Sequence, residues 1–177
     1  MNGYPDFLRD RDPATPPILV LGLGNTLLSD DGVGPALLDH LTNSAKNWDG
    51  QVEFVDGGTQ GLALLGRISG RRALIIVDAV KTGAPPGTVH RMTLAELRSV
   101  NPGHANSSHE GNAGELLAAA QLLDELPARL FVVGVEAKKI ATGLGLSAPV
   151  QRALSEASRE VNNLLKQLCE CSMVSIS

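Results

Sequence analysis

Cysteine is nearly absent: in 177 residues it occurs only at Cys169 and Cys171. Two thiols so close in one helical stretch rarely form a structural disulfide, and no histidine stands nearby to complete a metal site. A reduced, cytoplasmic chain is the expectation. Aromatics are equally scarce. Trp48 and Tyr4 are the only residues of their kind and the three phenylalanines are scattered, so there is no platform on which bases could stack. A net charge of −4 without any basic run argues against a nucleic-acid partner. No apolar run approaches the ~20 residues of a membrane span, and the N-terminus lacks the apolar core of a signal peptide. G-x-S-x-G, H-E-x-x-H and P-loop motifs are missing, and both cysteines fall on the expected terminal helix, far from the strand ends, which argues against a cysteine nucleophile.

At this length one domain can bury about 70% of its unfolded surface without staples. The polar, Pro-rich residues 1–16 are expected to form a flexible leader, residues 17–170 the single α/β domain and residues 171–177 a tail. The organising stretch is ILVLGLGNTLLSDDGVGPALLDHL, Ile18 to Leu41. Its first six residues suit a buried strand, and Leu37, Leu38 and Leu41 repeat as a helix does. Asp30 and Asp31 fall between them, near the helix N-terminus, where partial positive charge favours a carboxylate. Capping would occupy one of the two. Gly22 and Gly24 resemble a dinucleotide fingerprint, but Leu27 stands where its third glycine belongs, which argues against a nucleotide-binding domain.

Further strands are expected at Gln51–Val55, Ala73–Val77 (the most apolar run, ending on Asp78), Thr88–Met92 and Leu130–Val135. Between the third and fourth, Gly83, Pro85, Pro86 and Gly87 exclude a crossover helix, so one strand must run antiparallel. Short helical stretches are expected at Gly61–Ile68 and Ala95–Arg98, and full helices at Ala113–Leu123 and from the Ser147 cap to about Cys169. Ser99–Gly111 reads as a long polar loop. The whole predicts an α/β three-layer sandwich, with a twisted, mostly parallel five-stranded sheet and helices on both faces.

In such sheets sites form beyond the carboxyl ends of the strands, where strand order reverses. Asp31, Asp56 and Asp78 follow the first, second and third strands, and His109 stands in the long loop beside Glu110, with His90, His104 and His40 as competitors. Two carboxylates and an imidazole suit an open site for a divalent metal such as nickel, zinc or manganese.

Four blocks in order, GLGNTLLSDDGVG (Gly22–Gly34), VDGGTQGLALL (Val55–Leu65), LIIVDAV (Leu74–Val80) and SSHEGNAGELLA (Ser107–Ala118), with GVEAKKIATGLGLS (Gly134–Ser147) as a weaker fifth, resemble the maturation endopeptidases of nickel–iron hydrogenases. That resemblance spans about Ile18 to Ala148 and implies the same five-stranded fold. It also implies removal of the C-terminal extension of a hydrogenase large-subunit precursor, a protein substrate, after nickel insertion. Carried over residue by residue, Asp31, Asp78 and His109 are the family's metal ligands and catalytic groups, and His109 is chosen over the other histidines. Asp56 matches a family position whose loop shapes the cleft. Some relatives have Glu in place of Asp31. The nickel is expected to arrive in the substrate, other divalent metals being able to occupy the site, and the enzyme to act as a monomer without membrane or nucleic acid. A non-catalytic nickel-sensing or chaperone module is the alternative.

Overall fold

The computed structural model describes residues 15–42, 48, 50–100 and 113–170. Most of the expected leader and all of the tail, Cys171 included, lie outside the described residues, as do His104 and His109.

Five strands make one sheet in the order β2-β1-β3-β5-β4: β1 Ile18–Leu23, β2 Val52–Gly58, β3 Ala73–Val80, β4 Val89–Met92 and β5 Arg129–Glu136. β1 pairs parallel with β2 and β3, β3 pairs parallel with β5, and β4 runs antiparallel to β5. The return through Gly83 to Gly87 thus leads to an antiparallel strand, but one that pairs with β5 at the sheet edge and not with its predecessor β3. Every residue of β1 is buried, as a strand covered on both faces requires. Alternation divides its side chains between two cores. Ile18, Val20, Ile75, Val77, Val133 and Val135 meet helices α1 (Val33–Thr42) and α5 (Ala148–Glu170) on one face. Leu19, Leu21, Leu74, Ile76 and Val132 meet α2 (Leu65–Ile68), α3 (Leu94–Val100) and α4 (Ala113–Leu122) on the other. Helices thus cover both faces, the three-layer sandwich the sequence predicts. In α5, Val150, Ala153, Leu154, Ala157, Val161, Leu164, Leu165 and Leu168 form the buried stripe, each large side chain contributing about 1.5–3 kcal/mol. Cys169, half-buried near its end, is a free thiol. Among the described residues no helix is long and apolar enough to cross a membrane.

Several boundaries move. β3 does not end on Asp78. Asp78, Ala79 and Val80 stay in register with Gly134, Val135 and Glu136, and Val80 is buried. β2 likewise continues through Asp56 and Gly57, because Gly22 and Leu23 of β1 pair with Asp56 and Gly58 across a shift in register. Ser99 and Val100 belong to α3 rather than to the loop. Ser147 precedes α5 as expected, but its hydroxyl donates to Asp30.

Chain order fixes where a site can form. From β1 the chain goes through α1 to β2 on one side, then crosses to β3 on the other. The carboxyl ends of β1 and β3 are therefore the point at which the sheet opens a crevice.

Candidate active site

α1 enters that crevice at Gly34. A Cβ at Gly34 would stand 2.1 Å from the Leu23 carbonyl oxygen and 2.9 Å from that of Val77, so only glycine lets the helix reach both strand ends. The turn before α1 is equally confined. Gly24 has φ +125°, and a Cβ there would lie 1.8 Å from the Asp31 carbonyl oxygen, a conformation and an approach open to glycine alone. The Gly24 N–H is bonded to the Gly58 carbonyl (3.0 Å), and the Asn25 N–H donates to Asp31 Oδ2 (2.8 Å). Asp31 is thus oriented from behind by backbone, and its Oδ1 receives no hydrogen bond from the described residues.

Asp78 faces it from β3. Its Oδ1 accepts from the Ala79 N–H (2.8 Å), and the N–H of Ala113, the first residue of α4, donates to the same carboxyl. Burial, and then the nearby Asp31 charge, push the Asp78 carboxyl up to about 7 against the pull of those two N–H groups. Two acids close enough to couple, one of them able to hold a proton near neutrality, can divide acid and base work.

Asp30, the sequence neighbour of Asp31, does something different. It is fully buried and accepts four hydrogen bonds. The Lys138 and Lys139 N–H groups and the Ser147 hydroxyl reach Oδ2 at 2.9 Å each, and the Ser147 N–H reaches Oδ1 at 2.6 Å. Burial alone would raise its pKa, but these bonds outweigh burial and hold the carboxyl below its ordinary value. Neither aspartate caps the turn in the way the sequence suggested: Ser29 precedes the 3-10 turn Asp30–Gly32, which has no side-chain cap. Asp30 instead ties the loop after β5 to the loop after β1, alongside backbone pairings Leu28 with Gly143 and Ser29 with Ile140.

The histidines separate clearly. His40 is exposed in the last turn of α1, at the helix end away from Asp31. His90 is engaged elsewhere, its Nε2 being 3.3 Å from Glu136 Oε2. Asp56 is exposed and folds back onto the Gly58 N–H (2.9 Å). Among the described residues no three acid, histidine or cysteine side chains gather as a metal site; Asp31 and Asp78 are brought together, and His109 lies outside the described residues.

Glu136 is a residue the sequence reading passed over. Buried at the end of β5, it accepts from the Thr82 and Gly83 N–H groups (3.0 and 3.1 Å) and from the Thr82 hydroxyl (2.8 Å). Burial works against its charge, but those bonds and His90 prevail and hold its pKa down. The signal was present, since an acid closing an apolar strand is what singled out Asp78.

The family model for hydrogenase maturation proteases matches residues 36–164, a span that starts just past Asp31 and contains Asp78 and His109. This chain belongs to the hydrogenase maturation protease family. The hydrogenase 2 maturation protease of Escherichia coli K12 is 34% identical over 152 residues, covering 85% of this chain and 91% of that protein. The hydrogenase expression/formation protein HupD of Thiocapsa roseopersicina is 37% identical over 123 residues, 68% of this chain. The match spans only about half, 54%, of that relative. Among solved structures, the hydrogenase maturating endopeptidase HybD from E. coli superposes with a TM-score of 0.73 at 31% identity, covering 85% of this chain and 92% of HybD. A solution structure of an E. coli endopeptidase gives 0.74 at 32% identity with the same coverage. In this hydrogenase maturation protease family member, the acid pair therefore lies at the switch point of a fold shared with solved endopeptidases.

Proposed function

We propose that the protein is an endopeptidase that removes the C-terminal extension of a nickel–iron hydrogenase large-subunit precursor, and that it recognises nickel already seated in that substrate. The observation that carries this reading is the acid pair, Asp31 and Asp78, with the start of α4 bonded to Asp78. His109 stands four residues before Ala113, so at most roughly 14 Å of extended chain separates it from a residue bonded to Asp78. Two carboxylates and an imidazole are ligands that a borderline ion such as nickel accepts. They would complete the coordination of nickel carried by the precursor and so bring the scissile bond to the site.

Hydrolysis then needs a base for water and an acid for the leaving amine. The Asp31 carboxyl, beside one that holds its proton near pH 7, gives the site a group to take water's proton and a group to give one, water adding to the carbonyl carbon as the amide nitrogen takes a proton and departs. Selectivity arises because only the loaded precursor offers the metal. The test mixes the enzyme with precursor prepared with and without nickel, in chelator-treated buffer, and follows loss of mass. Shortening of the loaded form alone is the expected result. Equal cleavage of both forms would remove nickel recognition, and binding of loaded precursor without any cleavage would leave a non-catalytic nickel-sensing module in its place.

A further inference from the structure

The loop that Asp30 holds against the site displays groups that the acid pair does not use. Lys138 and Lys139 give their backbone N–H groups to Asp30 and leave both side chains exposed. Lys81 joins them. The Ala137 N–H donates to the Val80 carbonyl (3.0 Å), so Lys81 and Lys138 directly follow two residues joined by a backbone hydrogen bond at the ends of β3 and β5, and Lys81 is exposed as well. No carboxylate of the described residues lies within ion-pair reach of any of the three. Glu136, the nearest acid in sequence, is already occupied by Thr82, Gly83 and His90. On a chain of net charge −4 this is a local concentration of unpaired positive charge.

Further along the same loop, Leu144 is 83% exposed and Leu27, across from it, 60% exposed. The Gly143 N–H donates to the Leu27 carbonyl (3.0 Å) and Leu28 pairs with Gly143, so the two leucines sit on bonded backbone beside each other. Singly exposed leucines are common, but a rigidly displayed pair bordering a catalytic crevice is not explained by folding. Loop and leucines are continuous with Asp31, which follows Asp30 directly.

We infer that Lys81, Lys138, Lys139, Leu27 and Leu144 form the docking surface for the protein substrate, binding an extended segment next to the scissile bond that carries acidic and apolar side chains. This rests on the endopeptidase reading above. The lysines pair with the acids, steer the encounter and reject cationic segments; the leucines cover apolar side chains.

The experiment measures KM and kcat for nickel-loaded precursor of the source organism, with the double variant Lys138→Glu/Lys139→Glu, with Leu144→Ser, and with Lys166→Glu on the distant helix α5 as a charge control. Both lysine substitutions keep the N–H groups that hold Asp30, and Lys138→Gln/Lys139→Gln gives a milder variant should the reversal disturb the fold. The expected result is a KM raised about tenfold by the reversal and several-fold by the other two docking variants, with a much smaller change in kcat and none for Lys166→Glu. Raising salt from about 50 to about 300 mM should raise KM for wild type and not for the reversal. Precursor whose acids around the cleavage site are changed to amides should show the raised KM with wild type and no further rise with the reversal. Unchanged KM in the reversal, or a loss confined to kcat, would overturn the docking surface while leaving the protease reading intact. Absence of cleavage by wild type would remove both.

Discussion

Asp30 and Asp31 are adjacent, chemically identical and differently employed. Asp30 gives both oxygens to four donors and none to solvent, whereas Asp31 takes one N–H and keeps an oxygen for the crevice. Asp30→Asn turns part of that acceptor surface into an N–H₂ facing N–H donors, and should cost about 2–4 kcal/mol in denaturant unfolding. Asp31→Asn should cost under about 1 kcal/mol in stability and abolish precursor cleavage. A result in which Asp31→Asn cleaves normally would take it out of the chemistry. From the sequence, two acids before a helix pointed to more than a cap, but which did what was not legible. The partners of Asp30 lie 108 to 117 residues away, and no local pattern encodes them. Apart from its strand end and the Ser147 cap, the GVEAKKIATGLGLS stretch stood out only by family resemblance; its Lys138, Lys139 and Ser147 turn out to be that partner set.

At the scale of elements, the apolar runs were sufficient for β1, β5 and the core of β3, because strands buried on both faces have little choice of composition. Their ends were harder, since Asp78 and the Asp56-Gly57-Gly58 segment look like strand terminators and are kept in the sheet by neighbours the sequence does not reveal. The junction of α1 with β1 and β3 is the most sensitive contact. Gly34→Ala would drive a Cβ into the Leu23 and Val77 carbonyls and should destabilise the fold by about 3 kcal/mol or more, beyond the usual 1–3 kcal/mol of overpacking, because backbone rather than a flexible side chain must yield. Cleavage should fall with it, since α1 carries the Asp31 turn. Thermal unfolding checks this, and a wild-type melting temperature would mean the junction is looser than its geometry.

For the molecule as a whole, the site works against stability. Asp78 has its carboxyl raised from an ordinary 3.8 to about 7 by burial and by Asp31, so the folded state holds a proton that the unfolded chain releases. The contribution of this group is therefore fully present below about pH 4 and is lost as pH rises through about 7. Asp78→Asn removes that loss. It should match wild type near pH 4 and exceed it by on the order of 1–3 kcal/mol at pH 8, less than the full ~1.4 kcal/mol per pH unit because the side chain is partly open to water. Its precursor cleavage should be lost. Urea unfolding of the pair across pH 4 to pH 9, on the order of one point per unit, tests this; parallel curves would show that Asp78 titrates normally.

The Asp30 clasp also orders events in time. Chains emerge from the ribosome N-terminus first, and contacts between distant segments form late because long loops must close before them. A nascent chain that has emerged through Ala137 already carries Asp31 and Asp78, yet lacks Lys138, Lys139 and Ser147, the donors that hold the turn bearing Asp31. On the endopeptidase reading, the turn bearing Asp31 is therefore clasped only after synthesis has passed Ser147, and the cutting site is fixed late in the making of the chain.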